Sequence, residues 1–266
     1  MFRHVIVKHV FNTYNTIIHM SGHSHFATIK RQKAANDAVK GNLFSKLARN
    51  IMIAAKGGAD PDMNFKLRVE IDKARAASMP KENIDRAIAK ATTEAANLHE
   101  VVYEGFGPGG ISVIIEAATD NKNRMAQEIK NIFDKNGGNL AGPGAVSFNF
   151  VSKGFMLVKK AADPETQMLQ MIDLGIEDAT DTPDGIEVYT APDKLGIERK
   201  KFLETGFELI ETELIMKPLN LQAVNDAVLA AKALKFLDSV NDLDDVSKVF
   251  SNIDISDEIA NQISND

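Results

Sequence analysis

The middle of the chain reads VVYEGFGPGGISVIIEAATDNKNR over residues 101–124. Residues 101–103 and the β-branched run at 111–119 predict two strands, and the glycines between them predict a turn. The loop at 105–110 formally satisfies the G-x-G-x-x-G pattern of dinucleotide-binding proteins, but that pattern must leave a strand and open a helix. Here a strand follows the loop, and Pro108 removes one backbone donor. We therefore predict a β-hairpin without a nucleotide site.

The sequence after this hairpin predicts a second α/β unit inserted into the first. A helix through Lys135 and a strand over 146–150 come first. Residues 153–216 then follow the order β-α-β-β-α-β, which is the ferredoxin-like plan. A helix over 219–237 and a strand over 246–251 lie beyond that unit. Because this last strand can complete the sheet begun by the hairpin, residues 153–216 are predicted to be an insertion.

The sequence before the hairpin predicts a bundle of helices. An Ala- and Lys-rich helix over 27–40 is expected to stop at Gly41, and Asn42 is expected to cap the next helix. The segment FKLRVEID (65–72) alternates as in a strand, but it continues into KARAAS, so we predict a helix there. Pro80 is placed at the first position of the last helix.

Charge is distributed unevenly along the chain. The formal net charge is −6, but residues 1–98 carry +8 and residues 99–266 carry −14. Such asymmetry is typical of a polyanion-binding part joined to an acidic, self-solubilising part, although a Lys-rich helix surface can also serve solubility alone. The chain has no cysteine, which excludes disulfides, thiolate metal sites, iron–sulfur clusters and a cysteine nucleophile.

The cations of the helical part share helix faces, and a flexible segment, GHSHF (22–26), precedes them. Such a segment can follow a phosphate backbone and stack a base. The predicted nucleic-acid-binding residues are His23, His25, Phe26, Lys30, Arg31, Lys33, Lys40, Lys46, Arg49, Lys122 and Arg124. Three alternatives stay open: a metal pair at His23 and His25, a core position for Phe26, and a solvated surface pair at Lys122 and Arg124. Lys122 and Arg124 are predicted to lie at the start of the helix that runs through Lys135, where a cation is unfavourable for the helix dipole, so binding of an external anion there would be favourable.

The remaining patterns predict neither catalysis nor membrane insertion. Carboxylates are abundant, but none has a partner at the spacing that acid–base or nucleophilic catalysis requires. We therefore expect no enzyme, no cofactor and no small-molecule substrate. No run approaches the ~18 apolar residues of a membrane span. Residues 1–19 are interpreted as a dispensable extension before a second start at Met20, with organelle targeting as the alternative.

Several longer motifs resemble one family throughout the chain. The motifs are SGHSHFATIKRQKAANDA (21–38), GGADPDMN (57–64), MPKENIDRAI (79–88), YEGFGPGG (103–110), TDNKNR (119–124) and NGGNL (136–140). They resemble the YebC/PmpR proteins, which include mitochondrial translational activators. The chain departs from the family pattern at His25, where Lys is usual, and at Phe26, where Trp is usual. One permanent cation is lost at this tip and the aromatic ring is kept.

The resemblance implies an α+β protein with an N-terminal helical domain and two α/β domains, the third inserted into the second. The predicted division is 1–19 (extension), 20–98 (helical domain), 99–152 with 217–252 (middle domain), 153–216 (inserted domain) and 253–266 (C-terminal tail). It also implies a cytoplasmic, non-enzymatic regulator of gene expression. Three hypotheses follow: a transcriptional regulator that binds DNA, a translation factor that contacts rRNA or tRNA on the ribosome, and a protein-binding adaptor whose partner for the acidic domains is unknown.

Overall fold

The structure, a computed structural model, describes residues 19–20, 37–91 and 97–265. Within these ranges a helical bundle precedes two antiparallel sheets with helices packed against them. The fold is mixed α+β, as the sequence predicts, and the second sheet is inserted into the chain that forms the first.

Three helices form the N-terminal bundle: α1 (Asp37–Ala55), α2 (Phe65–Ala76) and α3 (Lys81–Lys90). The prediction of a break at Gly41 with a cap at Asn42 is wrong, because α1 runs through both residues. A glycine inside a helix costs about 1 kcal/mol, but the apolar stripe that includes Leu47 and Ile51 is buried against α2 and α3. Packing of that stripe therefore outweighs the local preference for a stop. The ambiguous 65–72 segment is helical, as predicted.

The first sheet has the strand order β1-β10-β3-β2-β4. Its strands are β1 (His19–Met20), β2 (His99–Phe106), β3 (Ser112–Thr119), β4 (Asn139–Ala141) and β10 (Val246–Ser251). Strands β2 and β3 are the predicted hairpin, and β10 joins their sheet, as expected, by pairing antiparallel with β3. Helices α4 (Lys122–Asn136) and α7 (Ala227–Asn241) pack against this sheet and meet through the rings of Phe133 and Phe236, 4.9 Å apart.

The glycines of the hairpin allow the rings of Phe133 and Phe236 to lie close to the backbone of the sheet. A Cβ at Gly105 would lie 2.5 Å from the Phe133 ring, and one at Gly107 would lie 2.8 Å from the Phe236 ring. Gly109 has a left-handed φ of 80° within the tight turn at Pro108–Gly110. The pattern that imitates a dinucleotide fingerprint is therefore explained by close helix–sheet contact.

The second sheet has the strand order β6-β7-β5-β8 and is antiparallel throughout. Its elements are β5 (Phe150–Val158), α5 (Pro164–Asp173), β6 (Asp178–Thr182), β7 (Gly185–Thr190), α6 (Leu195–Thr205) and β8 (Leu209–Pro218). This is the predicted ferredoxin-like order. A shared core that includes Ile114, Phe155 and Phe250 joins the two sheets.

Two predicted elements differ from the structure. The strand expected over 146–150 is a 3-10 turn, Ser147–Asn149, before β5 begins. The reason is that the buried carboxylate of Glu104 accepts hydrogen bonds from the backbone N–H groups of Gly144, Val146 and Ser147, at 2.8–2.9 Å. Those groups are consequently not available to a neighbouring strand. Burial alone would raise the pKa of Glu104, but these hydrogen bonds lower it.

The helix expected over 219–237 begins later than predicted. Residues before it form β9 (Gln222–Ala223), which pairs with β11 (Ile253–Asp254), and Asp226 caps α7. The chain after β11 ends in α8 (Asp257–Asn265). The segment that the sequence suggests is a tail thus contributes Ile255 and Ala260 to the core of the first sheet.

Candidate nucleic-acid interface

The predicted binding residues divide into those that the structure describes and those that it does not. Six lie outside the described residues: His23, His25, Phe26, Lys30, Arg31 and Lys33. The flexible tip, the first cation stripe and the alternative metal pair therefore stay predictions. Lys40 lies in the first turn of α1, where only the backbone is described. The side chains that can be placed are those of Lys46, Arg49, Lys122 and Arg124.

Lys46 and Arg49 face the acidic part of the same chain. The Lys46 ammonium donates to the carbonyl of Asn241 at the end of α7. The Arg49 guanidinium donates to the carbonyl of Asp244 at 2.9 Å and pairs with the carboxylate of Asp245. These two cations therefore join α1 to the connection between α7 and β10. Their partners lie almost 200 residues away, and helix periodicity does not reveal such contacts.

Asp245 is the centre of a charge cluster at this junction. Its side chain is 7% exposed and accepts from the Thr119 hydroxyl at 2.6 Å and from Arg124 at 2.7 Å, besides Arg49. Burial alone would raise the pKa of Asp245, but the bond from Thr119 and the two guanidinium groups lower it below its usual value. One carboxylate thus links α1, β3 and the start of α4.

At the start of α4, the backbone N–H and the guanidinium group of Arg124 both have partners within the molecule. The Asn121 side chain accepts from the backbone N–H of Arg124 at 3.0 Å, and the Arg124 guanidinium pairs with Asp120 as well as Asp245. The hypothesis that an external anion relieves this helix start therefore lacks support at Arg124. Lys122 is exposed, and its carbonyl accepts from the Tyr103 hydroxyl at 3.3 Å.

Further ion pairs connect the helical bundle to the second sheet. Lys73 of α2 pairs with Glu213 of β8, which is 3% exposed. Burial alone would lower the pKa of Lys73, but the carboxylates of Glu213 and Glu70 raise it above its ordinary value. Arg199 of α6 pairs with Asp72 at 2.8 Å. Ion pairs whose cations lie on either part therefore join the basic part of the chain to the acidic part.

Further exposed cations, outside the predicted set of binding residues, lie on α3. Lys81 and Arg86 are exposed, and Lys90 is half-buried at the end of the helix. Asn83, Arg86 and Lys90 recur at spacings of three and four residues, so they share one face. This spacing is the signal by which the sequence could have indicated them.

Two features of the described residues bear on other functions. No group of three or more His, Cys, Asp or Glu residues within those ranges is arranged to hold a metal ion. None of the described helices combines the length and apolar character needed to cross a membrane.

Comparison with known proteins identifies the family. A model of the TACO1/YebC protein N-terminal domain matches residues 24–94, and a model of the TACO1/YebC second and third domain matches residues 98–253. The chain belongs to the TACO1/YebC family. The resemblance suggested by the sequence motifs is thereby confirmed, and it extends from the helical bundle to β11.

Two relatives and one solved structure show how closely members of the TACO1/YebC family match. A probable transcriptional regulatory protein from Dictyoglomus turgidum is 44% identical over 250 residues, which is 92% of this chain and 100% of the relative. One of the same name from Chloroflexus aurantiacus is 45% identical over 248 residues, covering 90% and 98%. The crystal structure of a conserved hypothetical protein from Aquifex aeolicus matches with a TM-score of 0.80 and 39% identity, covering 89% of this chain and 99% of that one.

Proposed function

We propose that this member of the TACO1/YebC family is a non-enzymatic regulator of gene expression that binds nucleic acid through its basic helical domain. The observation that carries the proposal is the division of charge, +8 over residues 1–98 and −14 over residues 99–266. Lys and Arg neutralise phosphates and release counterions, which supplies most of the sequence-independent affinity for nucleic acid. The names of the relatives, probable transcriptional regulatory protein, favour DNA as the target.

The internal ion pairs limit which cations can contribute to this affinity. Lys46 and Arg49 already bind groups on the acidic part of the chain. We therefore assign phosphate contacts first to Lys30, Arg31 and Lys33. The segment with His23, His25 and Phe26 is assigned the contacts at the tip of the domain. Lys40 and Lys122 are assigned to the edge of the nucleic-acid interface. Arg49 and Arg124 instead hold the domains in place.

A second candidate, an RNA-binding translation factor, is favoured by the surface of α3. Four residues connect α2 to α3, as in a helix-turn-helix motif. The exposed surface of α3, however, carries Glu82 and Asp85 beside Lys81 and Arg86. Carboxylates on a helix inserted in a duplex groove would approach phosphates, so α3 is a poor reading helix for DNA.

Charge reversal tests the basic domain directly. Replacing Lys30, Arg31 and Lys33 with Glu should weaken binding of duplex DNA and structured RNA, and the slope of log K against log salt should fall by roughly 0.7–0.9 for each phosphate that the variant no longer neutralises. The matched control reverses Lys130, Lys159 and Lys200, three exposed lysines of the acidic part. Equal effects of the two triple variants would contradict the proposal and favour a protein-binding adaptor.

Crosslinking in cells separates the two kinds of target. Sequencing the nucleic acid that the full chain holds should return discrete promoter fragments if the protein regulates transcription. Predominant rRNA or tRNA reads would instead support the translation factor. If neither kind of read rises above background, nucleic-acid binding is contradicted altogether.

A further inference from the structure

Helices α1 and α3 enclose a groove on the surface of the helical bundle. Its volume is about 270 Å³. Nine residues line it, among them Phe44, Met52, Met79, Asn83, Arg86 and Lys90. We call this space the α1–α3 groove.

The α1–α3 groove combines an apolar floor with a cationic edge. Met79 is buried in the bundle core, and Phe44 and Met52 pack against that core while part of each side chain stays accessible. Arg86 and Lys90 are one helical turn apart on α3. None of the nine lining residues is Asp or Glu. An anionic ligand with an apolar, planar part is complementary to such a surface.

Two larger cavities of the molecule do not share this chemistry. One, of about 300 Å³, lies between the bundle and both sheets and is lined by Glu70, Glu100 and Glu116 as well as by two lysines. The other, of about 470 Å³, lies between the bundle and β8 and is lined by Glu211 and Glu213 as well as by lysines. Carboxylates at both sites repel a phosphate, so the α1–α3 groove is the one of these three that suits an anion.

We infer that the α1–α3 groove binds one unpaired nucleotide of single-stranded RNA. The base lies against Phe44 and Met52, and the phosphate is held by Arg86 with Lys90 beside it. An Arg guanidinium binds a phosphate through two parallel hydrogen bonds. Asn83 offers an amide donor and an acceptor at the edge of the base. The inference rests on the proposed nucleic-acid binding and names the chemistry of one contact within it.

The geometry excludes a base inside a duplex. Bases of a duplex are stacked and paired, so they cannot enter a groove between two helices, whereas RNA loops and ends present splayed bases to proteins.

The test measures binding of a fluorescent 12-nucleotide single-stranded RNA to the full chain and two variants. Arg86→Gln should lower the affinity by roughly tenfold, because it removes a charge-assisted hydrogen bond to the phosphate. Lys81→Gln removes an exposed cation of the same helix that does not line the groove, and it should change the affinity less than twofold. Equal effects of the two variants would overturn the inference while leaving the proposed function intact.

Photocrosslinking supplies a second readout that does not depend on a variant. RNA carrying 4-thiouridine should crosslink to the peptides that contain Phe44 or Met79, and Arg86→Gln should reduce that yield. Crosslinks confined to other peptides would overturn the inference. An equal crosslink from single-stranded DNA at the groove would overturn the assignment to RNA. If the unmodified chain binds no nucleic acid at all, the proposed function fails together with the inference.

Discussion

The charge cluster at Asp245 makes a quantitative prediction about how the helical bundle is held. Asp245→Asn keeps the shape of the side chain and one acceptor for Thr119, but it removes the charge that pairs with Arg49 and Arg124. Two guanidinium groups would then lack their shared carboxylate. The loss should appear as a lower free energy of unfolding and as a looser junction between α1 and the first sheet.

The size of the loss follows from the exposure of the partners. Removing one member of a fully buried ion pair costs about 3–5 kcal/mol. Here Asp245 is 7% exposed, but Arg49 is 25% and Arg124 is 46% exposed, so water can solvate both guanidinium groups in the variant. We therefore expect a loss of about 2–3 kcal/mol, at or just below the lower end of that range. For a chain of this size this corresponds to a fall in Tm of about 4–12 °C.

The neighbouring residue provides the control. Asp244 is exposed, and it contacts Arg49 through its backbone carbonyl, which Asp244→Asn retains. Thermal and urea unfolding of Asp244→Asn should therefore differ from the unmodified chain by less than about 0.5 kcal/mol. A double-mutant cycle with Arg49→Gln should give a coupling energy of about 0.5 kcal/mol or more for the Asp245 pair.

The pH dependence of the same variant gives an independent check. Because the pKa of Asp245 is lowered in the folded protein, its stabilising effect is present at neutral pH and is lost as the pH falls through that lowered pKa. The unmodified chain should therefore lose more stability than Asp245→Asn between about pH 7 and pH 2. Identical melting of the Asp244 and Asp245 variants, or parallel pH profiles for the unmodified chain and Asp245→Asn, would refute the reasoning.

Three further predictions concern residues elsewhere in the fold. Burial and the neighbouring Glu213 raise the pKa of Glu211 to about 8, so the stability of the folded chain should fall as the pH rises from about 5 to 9. Thermal melts of Glu211→Gln should not show that fall. The same dependence of Tm on pH in the variant and the unmodified chain would contradict this. Glu104→Gln removes the charge that binds three backbone N–H groups, so it should cost about 1–3 kcal/mol and expose the loop at 142–147 to proteolysis; unchanged cleavage would count against it. Gly105→Ala should cost about 1–3 kcal/mol through overpacking, whereas Gly142→Ala, with open space around it, should melt within about 0.5 kcal/mol of the unmodified chain.

Local patterns were sufficient for most elements of the fold. The β-branched residues before and after the glycine loop predicted β2 and β3, and the short strand predicted near the end of the chain is β10, with the bounds that the structure has, Val246–Ser251. The β-α-β-β-α-β order predicted the second sheet. These predictions succeed because strand and helix periodicities are properties of neighbouring residues, and short-range sequence records them.

The errors in the fold have one physical cause, contact with distant parts of the chain. Gly41 does not end α1, because the stripe on α1 is buried against α2 and α3. Residues 147–149 are not a strand, because Glu104 binds the backbone beside them from about 40 residues away. A local preference for the end of a helix or for a strand is worth about 1 kcal/mol, and the free energy of the tertiary contacts is larger.

In the candidate site too, the sequence determines one property and the tertiary structure another. Charge counts along the sequence established that a basic part precedes an acidic part, since net charge does not depend on folding. Only the tertiary structure decided which cations remain available: it brings Arg49 and Lys46 against acidic connections almost 200 residues away, and it leaves Arg86 at the edge of an apolar groove. A charge is fixed by residue type, but its partner depends on which surfaces the fold brings within a few ångströms.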